Sequence, residues 1–430
     1  MNQAAGDRIR RLQAHLRDHG ATEVGSVAGR VGAVLALLTE RDDDLELVLT
    51  RRRDDLPTHP GQVSFPGGRR ERGESTTAAA LREAEEEIGL RSASVEVLGH
   101  LPAFYLPPSR YWLAPVVARW LAPHPLRLQE REVAALVRAP LRHLLDRGRW
   151  RKVRLSMTGW SLAWQLDGGH VLWGATAAVV AVLLDAMEPG WRDGLEAGDL
   201  DDDREIMPWL DPTLERRVRP AVLEDVTTRD RAAVPAPSGT RPDDRAVTAA
   251  GAAIATAIRR LRTPVRRVVV LAGPGHNGAA GVAAAEDLGA HGVEATVVAT
   301  AAERLARGGT VRQFDGALPA ADLYVDALIG GGLTGRLAGV PLDVLLALRA
   351  HEAPILSVDL PTGLHPTQGL VGDTLSATVT VALGGLWPAL LHTGLSPFVG
   401  DLYLWDGAGD TVTRLVAGPE RAAVHGGWRE

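Results

Sequence analysis

The sequence predicts an α/β protein built from two units, an expectation that rests on three observations. The chain has 430 residues, enough for two or three domains, and 45% of them are hydrophobic, ample for globular cores. Its first half sets a carboxylate-bearing helix behind a glycine turn, among stretches of strand. Its second half alternates short β-branched strands with alanine-rich helices, the pattern of a doubly wound parallel sheet.

Composition narrows the chemistry. The net charge of −6 argues against a nucleic-acid backbone as partner. With no cysteine there is no disulfide, thiolate metal site or thiol nucleophile, so reactive groups must be oxygen or nitrogen. Lys152 is the only lysine among 47 basic residues, which excludes lysine-dependent chemistry elsewhere. Met1 to His19 has no apolar core of a signal peptide, and no run reaches the ~18 apolar residues of a membrane span. A soluble, cytoplasmic protein is expected. Its partner is a small-molecule nucleotide rather than nucleic acid or membrane, and a homodimer is left open.

Residues 1–27 read as an amphipathic helix through Ile9, Leu12 and Leu16, followed by a turn. Val31 to Leu38 and Leu45 to Thr50 are strand-like, and Asp42-Asp43-Asp44 between them is a hairpin turn. The central stretch runs from Gly68 to Leu90. Ser75 to Thr77 offer an N-cap hydroxyl, Ala78 to Ile88 are strong helix formers, and Gly89 suits a left-handed C-terminal stop. At roughly 100° per residue, Glu83, Glu86 and Glu87 share one third of the circumference, apart from a Leu81, Ala84 and Ile88 stripe. Like charges so spaced cost a few tenths of a kcal/mol per pair. They make hard oxygen ligands for Mg²⁺ or Mn²⁺, or else a solvated acidic face. His124, His143 and His170 stand singly, without metal spacing. A helix from about His170 to Ala186 ends the first unit at 28–186, and residues 187–222, with the acidic cluster Asp199 to Asp203, read as linker.

The second unit spans 223–415, with 416–430 as a tail. Ala246 to Leu261 is helical and Val265 to Leu271 a buried strand. Gly273-Pro-Gly275-His276-Asn277-Gly278-Ala-Ala280-Gly281 then opens a helix to about Leu288. Strand, glycine turn and helix in that order aim backbone N–H groups at phosphate. The acidic residue that would close the next strand of a dinucleotide site is missing from Ala295 to Thr300, which disfavours an ordinary NAD-dependent dehydrogenase. Strands at Leu323 to Asp326, Ile355 to Asp359 and Val379 to Leu383 complete the sheet. Asp326 and Asp359 fall at strand C-termini, where such sheets bind ligands.

Gly68, five residues, Glu74, seven residues and then Arg82-Glu83-Ala84-any-Glu86-Glu87-any-Gly89-Leu90 match every fixed position of the Nudix box. The first unit therefore resembles the Nudix hydrolases. That resemblance implies an α/β/α sandwich with a mixed sheet and metal-dependent hydrolysis of a diphosphate linked to another moiety. Mg²⁺ or Mn²⁺ would sit on Glu83, Glu86 and Glu87, with Glu74 and the Gly68 carbonyl nearby and Arg82 orienting a glutamate by ion pairing. His59 to Gly68, Gly99 to Tyr111 and Leu172 to Thr176 are similar to the coenzyme A pyrophosphatases within that family. Substrate contacts are accordingly expected from Arg51, Arg52, His59, Phe65, Gly67 and Gly68. Arg53 and Pro57 replace a small residue and an arginine of that pattern, and the general base is left open between the box and a distant loop.

The second unit resembles the NAD(P)H-hydrate epimerase domain through the Gly273 to Gly281 loop, Val325-Asp326-Ala-Leu-Ile-Gly330 and Val358-Asp359-Leu-Pro-Thr362-Gly363. The likeness implies a ligand site at Gly275, His276, Asn277, Gly278 and Asp359, and K⁺ held by Asn277, Asp326 and Thr362. Ala280 stands where that family has an aspartate, and Gly384 or Gly385 where it has a lysine. A non-catalytic nucleotide-binding domain is the expectation. Three functional readings follow for the chain: coenzyme A pyrophosphatase, hydrolase of NADH or ADP-ribose, and nucleotide sensor without turnover.

Overall fold

The structure, a computed structural model, describes residues 3–21, 23–24, 30–56, 59–106, 111–154, 160–191, 228–230, 234–237, 242–261, 263–300, 310–391 and 395–416. Pro57, most of the expected linker (192–222) and most of the expected tail (417–430) lie outside them. No helix among the described residues is long and apolar enough to cross a membrane.

In the first unit, α1 (Gln3–His19) buries Ile9, Leu12 and Leu16. β1 (Arg30–Arg41) and β2 (Asp44–Arg52) form a hairpin. Its turn residues Asp42 and Asp43 have φ of 49° and 63°, the left-handed pair a tight hairpin needs and Asp tolerates. β3 (Val63–Ser64), β4 (Gly67–Arg69), β5 (Val95–His100), β6 (Phe104–Leu106), β7 (Tyr111–Trp120) and β8 (Val133–Pro140) complete an eight-stranded sheet with the path β3-β2-β1-β7-β5. β1 and β7 run parallel and the other pairs antiparallel, so the sheet is mixed as expected.

Strand periodicity sorts β1 between two layers. Ala33, Leu35 and Leu37 pack under Ala79, Ala80, Ala84 and Ile88 of α2 (Thr76–Ile88). Ala36 and Leu38 face the layer of α1, α3 (Leu141–Leu145) and α4 (Gly174–Met187). A small sheet of β9 (Trp150–Arg154), β10 (Trp160–Gln165) and β11 (Val171–Leu172) precedes α4. The helix expected from His170 therefore begins four residues later, because Val171 and Leu172 pair with Gln165 and Trp164.

The second unit is a nine-stranded sheet. Its order is β12 (Thr228–Asp230), β22 (Thr413–Val416), β21 (Asp401–Trp405), β20 (Val379–Leu383), β17 (Ile355–Val358), β16 (Leu323–Ala327), β13 (Arg267–Ala272), β14 (Glu294–Ala299) and β15 (Thr310–Gln313). All pairs are parallel except β21 with β22. Helices Asp244–Arg259 and His276–Ala290 cover one face, and Val340–Leu348 the other, as double winding requires. The first two helices meet closely at Gly251, where a Cβ would lie 2.5 Å from that of Ala283. A short hairpin of β18 (Leu364–His365) and β19 (Gly369–Leu370) stands apart from the sheet.

The two units share an apolar core. Leu360, Leu364, Leu390 and Phe398 join the cluster that holds Leu12, Leu38 and Leu183. Phe104 meets Phe398 edge-on at 5.5 Å between centroids, the Tyr105 N–H donates to Ser376 Oγ, and the Arg349 guanidinium lies 5.7 Å from the Trp112 ring.

Candidate active site

α2 starts where the sequence places its cap. The Ser75 hydroxyl accepts from Ala78 N at 3.0 Å, and Gly89 ends the helix at φ 66° with its N–H on the Glu85 carbonyl. The glycine pair of β4 runs against the carboxylate face. Gly67, at φ 156°, donates its N–H to Glu87 Oε2 at 3.2 Å, and a Cβ on Gly68 would fall 2.5 Å from both carboxylate oxygens of Glu83. At Gly67, where a Cβ would fall 2.3 Å from the Ala33 carbonyl oxygen, only glycine fits, and at Gly68 a side chain would displace the Glu83 carboxylate.

Arg82 gathers the neighbouring carboxylates. Its Nε and Nη2 donate to the two oxygens of Glu74 at 3.0 and 3.2 Å, and its Nη1 donates to Glu83 and Glu86 at 3.0 and 3.2 Å. Nη2 also donates to the Arg69 carbonyl at 3.0 Å. The guanidinium holds the Glu74 carboxyl below its usual range, and Glu74 and Glu83 push Arg82 up in return. Burial raises Glu83. Burial also lifts Glu87 to about 8; the Gly67 N–H and Arg52 oppose that rise, while the charges of Glu83 and Glu132 add to it.

Among the described residues no three His, Asp or Glu side chains already converge as a metal cage. Glu83 and Glu86 lean on Arg82, with Glu86 more than half exposed. Glu87 and Glu83, pressed together at the glycine turn with Glu132 in electrostatic reach of both, are nonetheless a donor set of hard oxygens that fits a small divalent cation.

The expected substrate contacts separate. Arg51 pairs with Asp54, and Arg53 pairs with Asp55 and donates to the Glu130 carbonyl. Arg52 has its charge beside Glu87 and a buried Nε without a hydrogen-bond partner. His59 is exposed at φ 55°, with Nδ1 3.0 Å from Gln62 Oε1. Phe65 does not serve as a contact: it is 2% exposed and belongs to the apolar core. The structure adds two residues that sequence reasoning missed. Glu132 precedes β8, in a loop that carries no motif. Tyr111 lies over Gly32 within electrostatic reach of Glu83, and burial raises its hydroxyl to about 12.

The second unit assembles another carboxylate pair. Asp326 is 1% exposed and accepts from Ser357 Oγ (2.8 Å), Thr362 N (2.9 Å), Thr362 Oγ1 (2.6 Å) and Leu328 N (3.3 Å). The Thr362 hydroxyl also accepts from Ile329 N. With these oxygens committed to protein donors, Asp326 and Thr362 do not fit a K⁺ ion unless they first give up each other. Asn277 donates its Nδ2 to the Val358 carbonyl at 2.8 Å. Strand β17 ends one residue earlier than expected, because Asp359 turns to φ 69°. Its carboxylate accepts from Gly331 N (3.3 Å) and from the Trp387 indole N–H (3.1 and 3.0 Å), and burial raises it. Gly275 caps the helix that His276 begins, and Gly278 packs against the Gly273 carbonyl.

Comparison with known proteins agrees with this division. Residues 29–157 match the family model of the NUDIX domain, and residues 244–389 that of the YjeF-related protein N-terminus. Over 159 residues the chain is 37% identical to the uncharacterized Nudix hydrolase NudL of Escherichia coli O1:K1 / APEC, spanning 36% of this chain and 81% of that protein. The chain belongs to the Nudix hydrolases. NudL of Shigella boydii serotype 18 matches this Nudix hydrolase to the same extent. Among solved structures, yeast ynu0 aligns at 22% identity over 37% of this chain and 77% of that one, with a TM-score of 0.32. The NUDIX domain of Shewanella oneidensis NrtR complexed with ADP ribose aligns at 22% identity over 27% and 77%, with a TM-score of 0.23. Nudix enzymes act on diphosphates and generally use divalent cations.

Proposed function

We propose that this Nudix hydrolase is a cytoplasmic enzyme that cleaves the diphosphate of coenzyme A or its derivatives into adenosine 3′,5′-bisphosphate and 4′-phosphopantetheine. Residues 28–186 carry the reaction. The supporting observation is where the coenzyme A-type segment lies: Gln62 accepts from Arg52 N at 2.9 Å, and Gly67, five residues on, donates to Glu87. The segment thus links Arg52, whose charge lies beside Glu87, with that buried carboxylate.

A water oxygen bonds to one phosphorus while the bridging P–O bond breaks and the leaving phosphate keeps the electron pair. Arg52 holds a phosphate oxygen with its guanidinium. Arg82 fixes Glu74 and orients Glu83. Two carboxylates qualify to take the proton from water, Glu87 of the box and Glu132 of a distant loop. Bound Mg²⁺ or Mn²⁺, on Glu83, Glu86 and Glu87, would supply positive charge against the diphosphate and acidity to the attacking water.

Hydrolysis of NADH or ADP-ribose is the second reading. It is favoured by Arg51 and Arg53 being tied to Asp54 and Asp55, which leaves fewer cations for the 3′-phosphate that distinguishes coenzyme A. The test is incubation of the full chain with Mg²⁺ or Mn²⁺ and coenzyme A, acyl-coenzyme A, NADH, NADH hydrate or ADP-ribose, with products resolved by mass spectrometry. Preferential release of adenosine bisphosphate supports the first reading, and preference for the other nucleotides supports the second. The second unit, with Ala280 for an aspartate and no lysine, is read as non-catalytic.

A further inference from the structure

In the second unit the Trp387 indole fills a glycine-lined recess beside Asp359. We propose that Trp387 is a tethered self-ligand: its indole takes the place of a free planar heterocycle bearing an N–H donor, so the native chain keeps this cleft shut to such molecules. The inference rests on the geometry of the second unit and is independent of the Nudix substrate.

Three features define the site that the ring fills. Its floor is Gly331, where a Cβ would fall 2.2 Å from Trp387 Cζ2 and 2.7 Å from Cε2. Its polar anchor is Asp359, 7% exposed, whose two oxygens receive the indole N–H at 3.1 and 3.0 Å. Beside the anchor, a Cβ on Gly330 would meet Asn277 Nδ2 at 2.1 Å and Asp359 Oδ2 at 2.9 Å. A bare glycine surface beside a buried carboxylate is what a flat ring with one N–H requires, since the face stacks and the edge donates.

The segment that carries the ring is anchored at both ends. A Cβ on Gly385 would lie 2.6 Å from Pro237 N, Leu386 N donates to the Pro235 carbonyl at 2.9 Å, and Ala389 N donates to the Pro366 carbonyl at 3.0 Å. Trp387 itself packs against the core that both units share. Displacing the indole means giving up its N–H bond to Asp359 and its packing on the shared core, while the anchored backbone holds the ring close to its site, so a competing ring starts at a disadvantage. Gly384 and Gly385 permit the arrangement. Gly384 sits at φ 72°, a conformation that strains any side chain, and Gly385 presses on the Ala236–Pro237 backbone, so a side chain at Gly385 would push the segment off the cleft.

The experiment is chemical rescue in the full chain. W387G removes the ring and leaves an indole-shaped cavity of the kind that binds small aromatics. Free indole is expected to raise the melting temperature of W387G and not that of the wild type. Indene, which has the shape without the N–H, should bind W387G at least tenfold more weakly, and the W387G/D359N double variant should lose that discrimination. A folded W387G that ignores indole, or that takes indene equally well, would overturn the proposal. Should W387G fail to fold, W387F keeps the bulk and assigns the Trp387 indole N–H in ¹H–¹⁵N spectra. In the wild type that signal is expected to exchange slowly with solvent and to stay put when adenosine or NADH is added. Movement of the signal on that addition would equally sink the idea.

Discussion

The two units each bury carboxylates where a sheet meets a glycine-rich turn, yet they treat them in opposite ways. Asp326 accepts four hydrogen bonds, and Asp359 is met by Gly331 N and by the Trp387 indole N–H shared between its two oxygens, all from the chain itself. Glu87 accepts one, from Gly67 N, and faces the charges of Glu83 and Glu132. A buried anion supplied with donors is a structural element, whereas one left short of donors costs free energy until a proton or a cation arrives. The contrast marks the first site as poised for a ligand and the second as closed on itself.

The sharpest way to break that contrast is to neutralise its poised member. Glu87→Gln should lower kcat by on the order of 10³-fold, measured as nucleotide release with saturating Mg²⁺. The same variant should fold normally and, in chelator at pH 8, melt higher than the wild type; full activity in both Glu87→Gln and Glu86→Gln would discard the metal assignment. Asp326→Ala reverses the test. It strands donors from Ser357, Thr362 and Leu328 and should cost about 3 kcal/mol in chemical denaturation while leaving kcat per folded molecule unchanged.

Proton linkage gives a subtler comparison. The folded protein raises the Glu87 carboxyl from 4.5 to about 8. A raised carboxyl pKa means that the protonated form is favoured by folding, so its stabilisation is complete below pH 4.5 and is lost as pH climbs through about 8. Metal-free wild type should therefore lose stability across that window relative to Glu87→Gln, and Mg²⁺ should remove the difference by drawing the proton off. Thermal melts of the two proteins in chelator, with and without restored Mg²⁺, read this directly. The smallest contrast lies among the three arginines. Arg52→Ala should raise KM about tenfold, as expected for loss of a phosphate contact, whereas Arg51→Ala, which breaks an exposed pair, should change stability by about 0.5 kcal/mol or less and KM by less than twofold.

Much of this is legible in the sequence. Ser75 and Gly89 bound α2 because capping is local chemistry, and the glutamate spacing puts three carboxylates on one helix face by rotation alone. The alternation of strand and helix predicted the parallel sheet, since each βα unit carries its own period. What stayed hidden depends on distant segments. Phe65 sits in a run that resembles a substrate-binding signature, but only the packed sheet shows that its side chain turns into the core. Arg51, Arg52 and Arg53 look alike in sequence and differ because Asp54 and Asp55 occupy two of them. Glu132 comes within electrostatic reach of Glu87 through the fold, which no spacing announces. Trp387 lies close to the position where a lysine is expected, and nothing in Gly-Gly-Leu-Trp says that the ring returns to Asp359.

Phe104 against Phe398, in an apolar cluster that runs from α1 into the second unit, has a consequence for how this molecule is inherited and dismantled. Halves that share a core cannot drift apart by recombination without exposing greasy surface on both. A second unit stripped of turnover would still be retained as the other half of a common fold, and calorimetry should show it as one melting peak instead of two.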